Sequence, residues 1–254
     1  MTPIDRDVLL LLNGVIGRSP SAFEGALFLC GQIPLVVCVM ALLALWWTDT
    51  EGGRNLRILG GGRAPSRLGL LESRCRVAML SVAIPAAFVV TRLIAYATNL
   101  PRPLGRERLL VPIDAVRWNE LVQAMTGFGA FPSDHAALFF AVAVGLFAWG
   151  RAVGTVGLCV AALFSLARVA VGFHYPSDMF VGAAIGASCA LFARWLVPHF
   201  TPQLVRLVGL FDRAPALMYP LLFVAALDFT HHFRMLMKQV FSLAYSMLGL
   251  AGAA

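Results

Sequence analysis

The sequence has few charged residues and long apolar stretches. Of its 254 residues only 13% are charged and 59% are hydrophobic, and the mean hydropathy is +0.80. This composition excludes an ordinary soluble domain. It also excludes a disordered chain, a coiled coil and a collagen, because the apolar residues run in blocks between Arg-, Gly- and Pro-rich segments. The sequence therefore predicts a membrane protein.

Other features are also scarce. Lys238 is the only lysine, so the net charge of +7 comes almost entirely from arginine, which in a membrane protein is typical of cytoplasmic loops and lipid contacts. No nucleic-acid partner is implied. The five cysteines form no CxxC pair and no metal-ligand spacing, so we interpret them as packing residues and expect no metal or cofactor. No internal repeat supports a transporter built from inverted halves.

Apolar stretches of about 20 residues predict an all-α, polytopic transmembrane bundle with about six spans. The five stronger stretches and the weaker sixth are 23–47, 74–98, 134–150, 152–173, 178–198 and 214–230. Residues 8–17 are too few to cross, so a helix along the membrane surface is expected there, with no removable signal peptide. We interpret 1–254 as one membrane domain: an interfacial segment 1–22, a five-span core 23–198, and a further span with an amphipathic tail over 199–254.

Charge between the spans predicts their orientation. Six arginines lie between Thr48 and Arg76, which places this segment in the cytoplasm by the positive-inside rule. Alternation of the spans then puts the loop 99–133 and the turn 173–177 together on the outer side. The loop nevertheless carries four arginines of its own, which need another explanation: Arg102, Arg106, Arg108 and Arg117. In the fifth stretch, Gly182 and Gly186 form a GxxxG pattern that allows close helix approach.

Three polar patches share this outer side, and together they suit phosphate chemistry. The first patch contains Arg102, just after the second span, and the second contains Ser133, just before the third span. Arg168, near the end of the fourth span, belongs to the last patch. A Pro-Ser turn at a helix start offers free backbone N–H groups and a hydroxyl to an anion. The two arginines supply forked, permanently charged donors to phosphate oxygens.

The same patches contain the groups needed for nucleophilic catalysis. His174 and Asp178 are four residues apart, so a turn allows the carboxylate to hold one ring nitrogen while the other faces a phosphate, which makes His174 the candidate nucleophile. His135 is then the candidate general acid and base. Ionisable residues within membrane segments are usually functional. The remaining histidines lack such neighbours and are interpreted as structural: His199, His231 and His232.

These residues resemble the three-part signature of the membrane type-2 phosphatidic acid phosphatases: Arg-Pro, then Pro-Ser-x-His, then Arg, five residues, His, three residues, Asp. The resemblance covers roughly Arg92 to Arg194. It implies a helical core like that of acid phosphatases and vanadium haloperoxidases. It also implies metal-independent hydrolysis through a phosphohistidine at His174, with Asp178 orienting the ring and His135 as acid and base. Phosphate would be held by Arg102, Ser133 and Arg168.

Two departures from the family pattern refine the substrate prediction. The first motif of the family begins with a lysine, where this chain has Ala95. Arg92 on the same helix face is a candidate replacement, with Arg106 or Arg108 as alternatives in the loop. Asp134 stands where glycine is usual, so its carboxylate must pair with an arginine, cap the helix or point away. Both departures resemble the undecaprenyl pyrophosphate phosphatase branch, which implies a polyprenyl diphosphate substrate and a bacterial inner membrane, with the site facing the periplasm.

Several alternatives stay open at this point. The same motifs suit a phosphatase for phosphatidic acid, phosphatidylglycerol phosphate or a lipid A phosphate, and a phosphotransferase whose acceptor is a second lipid. A non-enzymatic scaffold or transporter that binds anionic lipid leaves the His-Asp spacing unexplained. A haloperoxidase is disfavoured by the missing lysine. No oligomeric state is predicted.

Overall fold

The computed structural model describes residues 2–48, 66–125 and 129–231, and within these ranges all regular structure is helical. The α-helices, in chain order from α1 to α10, are Pro3–Ile16, Pro20–Cys30, Ile33–Trp46, Arg67–Thr98, Ala115–Met125, Asp134–Leu146, Arg151–Val171, Pro176–Leu196, Thr201–Arg213 and Pro215–Thr230. The predicted amphipathic tail, beyond His231, and most of the predicted cytoplasmic loop, at 49–65, lie outside the described residues.

Local sequence explains where several helices begin. Ser66 caps α4 and Ser133 caps α6, each accepting a hydrogen bond from a backbone N–H in the first turn. Thr2 and Asp5 form a capping box at the start of α1. Proline occupies the first turn of several helices, where its missing N–H costs nothing. These signals fix the starts of α6 and α8, which carry two of the three polar patches.

Helix α6 is the centre of the bundle and packs against α4, α7 and α8. Its buried residues include Leu138 and Phe139, which join Phe88 of α4 and Phe164 of α7 in one apolar cluster. Phe139 and Phe164 lie with their ring centroids 5.5 Å apart. Burial on nearly all sides explains why α6 shows no polar face in the sequence.

The GxxxG pattern brings α8 into backbone contact with α6. A Cβ atom on Gly182 would lie 2.2 Å from the carbonyl oxygen of Ser133, and one on Gly186 would lie 2.0 Å from that of Ala137. No side chain fits in either place. The two helices are therefore fixed together where α6 begins.

The structure contains apolar helices in the predicted stretches, but fewer of them are long enough to cross a membrane than the sequence predicts. Among the described residues, three helical stretches are long and apolar enough to cross a membrane: Arg67–Gly105, Arg151–Val171 and Pro176–Arg213. The stretches Asp134–Trp149 and Pro215–Thr230 are apolar but shorter. The described part of the chain is thus all-helical, with helices suited to a membrane, and the number of six spans stays a prediction.

The predicted span 23–47 is not one continuous helix. It consists of α2 and α3, which meet at an angle of 47° and count as one span only if this broken pair crosses together. Gly31 leaves the helical conformation, with ψ at −147°, and Pro34 in the first turn of α3 has no N–H to continue the hydrogen-bond ladder. The sequence contains both signals, but the apolar content conceals the break.

Helix α1 is longer than the predicted interfacial helix and has a buried polar face. It begins at Pro3, and it packs against α7, α2 and α8. Asp5 and Asn13 are buried on this face, while Leu11 and Val15 are exposed on the other. The N-terminal segment is therefore part of the bundle along one side, which a purely interfacial interpretation does not include.

The arginines assigned to the cytoplasmic side gather at one end of the bundle. Arg76, Arg151 and Arg194 line a cavity of about 610 Å³ between the start of α4, the end of α6 and the end of α8. The three polar patches lie at the opposite end, near the end of α4 and the starts of α6 and α8. This separation agrees with the charge asymmetry in the sequence.

Replacement of Gly186 by alanine tests the contact between α6 and α8. The new methyl group collides with the Ala137 carbonyl. We therefore expect a lower thermal midpoint and a free energy of unfolding reduced by about 1–3 kcal/mol, as for other overpacked sites. The matched control is Gly209→Ala in α9, where a Cβ meets nothing within 4 Å. Thermal unfolding of the purified variants in detergent measures both, and equal midpoints would contradict the close approach.

Candidate active site

His174 is buried in the turn between α7 and α8. Helix α7 ends at Gly172, whose φ of +91° favours glycine, and the turn then leads to the start of α8 at Pro176. Nδ1 of His174 lies 2.9 Å from the carbonyl oxygen of Ala130. Since a carbonyl can only accept, Nδ1 carries the proton, and Nε2 of a neutral ring carries the lone pair.

Asp178 does not hydrogen-bond the ring of His174, although the sequence led us to expect this contact. Its Oδ2 lies 3.6 Å from Nδ1 of His174, which is beyond hydrogen-bond distance, and it accepts a hydrogen bond of 2.8 Å from the backbone N–H of Tyr175. Asp178 therefore fixes the turn that carries His174. The Ala130 carbonyl is the direct partner of the ring, and a backbone carbonyl has no signature in the sequence.

Burial and charge keep His174 neutral. Burial lowers the pKa of His174 well below its usual range, and the positive charges of Arg102 and Arg168 lower it further. The negative charge of Asp134 acts in the opposite direction. A neutral imidazole with an available lone pair is the form required of a nucleophile.

Arg102 and Arg168 both contact Phe173, in the turn that carries His174. Nη1 of Arg102 donates to Nε2 of His174 over 3.1 Å and to the carbonyl of Phe173 over 3.0 Å. Nη1 of Arg168 donates to the carbonyl of Cys30 over 2.7 Å. In both arginines the Nε–H is buried without a hydrogen-bond partner. Because buried donors are nearly always paired, these two N–H groups suit an incoming anion.

Ser133 and His135 lie at the start of α6, opposite this turn. The hydroxyl of Ser133 caps the helix, accepting from the N–H of Ala136 over 3.4 Å. Its own N–H donates to the carbonyl of Asp178 over 3.0 Å, which ties the second motif to the third. The charge of His135 acts on His174. The structure thus brings Arg102, Ser133, His135, Arg168 and Asp178 around His174.

Asp134 and Arg92 form an ion pair beside His135. Nη2 of Arg92 lies 2.7 Å from Oδ2 of Asp134, while Oδ1 of the same carboxylate lies 2.7 Å from Nδ1 of His135 and accepts from its backbone N–H over 2.8 Å. Asp134 therefore has an arginine partner, one of the possibilities raised by the sequence. This contact orients the ring of His135 from its Nδ1 side.

The outer loop arginines have different environments. Arg117 forms an ion pair with Glu24, so its charge is already compensated. Arg106 and Arg108 flank Glu107, whose Oε1 accepts from the Tyr175 hydroxyl over 3.2 Å.

His199 is exposed, and its Nδ1 lies 3.1 Å from the Trp195 carbonyl oxygen, away from the site. Within the described ranges, no group of three or more His, Cys, Asp or Glu side chains is placed to bind a metal ion.

Comparison with known families agrees with this geometry. Residues 76–202, half of the chain, match the model of the PAP2 superfamily, and they include all three polar patches. The chain belongs to the PAP2 superfamily. This confirms the family that the motifs resemble.

Two relatives within the superfamily are similar to this chain. One is the bacitracin transport permease protein BcrC of Bacillus licheniformis, 36% identical over 28% of this chain and 36% of its own length. The other is named "Putative undecaprenyl-diphosphatase YbjG", from Escherichia coli strain K12, and is 23% identical over 69% of this chain and 74% of its own length. The first match thus spans little more than a third of that relative. No solved structure gives a significant match.

The pH dependence of this PAP2 enzyme tests the environment of His174. Because the pKa of His174 is lowered, the ring stays neutral as the pH falls through 6.5 and is protonated only in more acidic solution. We expect the protonation of His174 to lower kcat/KM only at pH values well below 6.5. The substrate's own titration, measured by phosphorus NMR, is divided out. An acid limb above pH 6.5 would contradict the buried, arginine-flanked ring.

A double-mutant cycle tests the pair between Arg92 and Asp134. Arg92→Ala leaves a buried carboxylate beside the anion site without its counter-charge, so we expect kcat/KM to fall at least about tenfold, as for broken buried pairs. Asp134→Gly removes the orientation of His135 and also lowers the rate. The double variant should be less impaired than the product of the two single effects. Purely additive effects in kcat/KM would mean that the two side chains act independently.

Proposed function

We propose that this enzyme hydrolyses the terminal phosphate of a polyprenyl diphosphate on the outer face of a bacterial inner membrane, through a phosphohistidine at His174. The observation that carries the proposal is the environment of Nε2 in His174. This nitrogen carries a lone pair and accepts from Arg102, and the Nε–H groups of Arg102 and Arg168, two arginines that both contact Phe173 of the same turn, are buried without a partner. A nucleophile beside unpaired cationic donors suits a phosphoryl group.

In the first step, Nε2 of His174 attacks the terminal phosphorus. The bond between that phosphorus and the bridging oxygen breaks, its electron pair stays on the oxygen, and His135 protonates the leaving lipid phosphate. Asp134 favours this role because its carboxylate contacts Nδ1 of His135 and stabilises the protonated ring. Arg102, Arg168 and the start of α6 stabilise the charge on the transferred group.

In the second step, water replaces the lipid. His135 accepts a proton from the water as its oxygen attacks phosphorus, the bond from nitrogen to phosphorus breaks, and its electron pair returns to His174. The products are orthophosphate and the lipid monophosphate. Each proton and electron pair is accounted for by the two histidines, the substrate and water, so these steps are balanced without a further reactant.

The choice of a polyprenyl diphosphate is supported by three features. The chain has Ala95 in place of the motif lysine and Asp134 in place of glycine, both of which resemble the undecaprenyl pyrophosphate phosphatase branch. Arg106 and Arg108 flank Glu107, which binds the hydroxyl of Tyr175 next to His174, and in this loop they suit a doubly phosphorylated headgroup. The name of the E. coli relative, "Putative undecaprenyl-diphosphatase YbjG", points to the same substrate.

A phosphate-release assay with purified protein in EDTA tests the proposal. We expect faster release from undecaprenyl diphosphate than from phosphatidic acid or phosphatidylglycerol phosphate, and no release by His174→Ala. The matched control is His199→Ala, because His199 is exposed and distant in sequence from the three motifs. Preference for a monophosphate lipid would reject the substrate class, and equal release by wild type and His174→Ala would reject the mechanism. Transfer of the phosphate to an added lipid in place of water would identify a phosphotransferase.

A further inference from the structure

Helix α1 lies outside residues 76–202, which match the superfamily, yet its buried face carries three residues at helical spacing. Asp5, Leu9 and Asn13 follow one another at intervals of four, so they project from the same side of the helix. Leu9 is fully buried in a cluster with Tyr175 and Val169. Polar residues on either side of it make hydrogen bonds to other parts of the chain.

Asp5 binds the start of the helix that follows His174. Its Oδ1 accepts a hydrogen bond of 3.0 Å from the backbone N–H of Ser177, in the first turn of α8. Its Oδ2 is held by the N–H and the hydroxyl of Thr2, at 2.9 and 3.0 Å. A carboxylate in this position also suits the positive end of α8. Asp5 thus supplies from a distant part of the chain the acceptor that a local cap usually provides.

Asn13 binds the end of the helix that precedes His174. Its Nδ2 donates to the carbonyl of Ala170 over 3.1 Å and to that of Leu110 over 3.2 Å, while its Oδ1 accepts from the N–H of Leu110 over 2.7 Å. Asn13 is 1% exposed, and replacing it leaves buried backbone groups without partners. The side chain thereby joins the outer loop to the last turn of α7.

A third contact connects the same helix to the outer loop. Nε of Arg6 lies 2.9 Å from Oε2 of Glu107, and the other oxygen of Glu107 accepts from the hydroxyl of Tyr175. Tyr175 follows His174 directly. The turn that carries His174 is therefore bound to α1 before it, through Ala170, and after it, through Ser177.

We propose that Asp5 and Asn13 are positioning residues for the phosphatase reaction, because they fix both ends of the turn that carries His174 to one face of α1. They touch neither the nucleophile nor its direct partner Ala130, so their effect passes through the backbone of the turn. Displacement of a reacting nitrogen by about 1 Å can cost up to a hundredfold in rate. This inference rests on the proposed function, in which His174 is the nucleophile.

Kinetics of Asp5 variants test this inference against a merely structural role. We expect Asp5→Ala to lower kcat by about tenfold with KM within about twofold, because substrate contacts remain while the nucleophile loses its alignment. Asp5→Asn keeps an oxygen acceptor for the Ser177 N–H and should recover most of the rate. The matched control is Asp7→Ala, on the exposed face of the same helix. Rates are expressed per folded molecule, determined from the monodisperse fraction.

The outcomes separate this inference from the proposed function. If the wild type releases no phosphate from any lipid, the proposed function fails. If the wild type is active and Asp5→Ala keeps the same kcat per folded molecule, the inference about α1 fails alone. Asn13→Ala tests the other end of the turn and replaces Asp5→Ala if that variant does not fold. Unchanged kcat in a folded Asn13→Ala protein, or equal loss in Asp5→Asn and Asp5→Ala, would overturn the proposal.

Discussion

The close approach of α6 and α8 is the constraint on which the site depends. Gly182 leaves room for the Ser133 carbonyl, and the N–H of Ser133 donates to the carbonyl of Asp178. Through these contacts the start of α6, which carries His135, is fixed against the start of α8, which follows His174. A membrane bundle has little hydrophobic driving force between its helices, so backbone contact of this kind holds them in register.

Charge within the site is arranged in two parts with different tasks. Around His174, burial and two arginines keep the imidazole neutral and leave Nε–H donors without partners. Around His135, the pair of Asp134 with Arg92 holds the ring from its Nδ1 side. The negative charge of Asp134 is compensated by Arg92, which weakens its repulsion of a phosphate in the site. This arrangement gives the two histidines the distinct environments that a nucleophile and an acid-base group require.

Hydropathy and motif spacing predicted the membrane class, the helical fold and the residues that surround His174, because these depend on composition and local pattern. Partners that are backbone groups could not be predicted: the Ala130 carbonyl holds His174, and the Cys30 carbonyl accepts from Arg168. The break between α2 and α3 was concealed by continuous apolar content. The buried face of α1 was missed because Asp5 and Asn13 bind Ser177 and Ala170, which are distant in sequence.

Trapping of the intermediate tests the central claim most directly. The enzyme is mixed in EDTA with undecaprenyl diphosphate labelled on its terminal phosphate, and the reaction is quenched in alkali within the first turnover. The account predicts a label that is stable in alkali and lost in acid, mapping to the peptide with His174 and missing from His174→Ala. Phosphate release without any such label, or a label that survives acid, would contradict a phosphohistidine at His174.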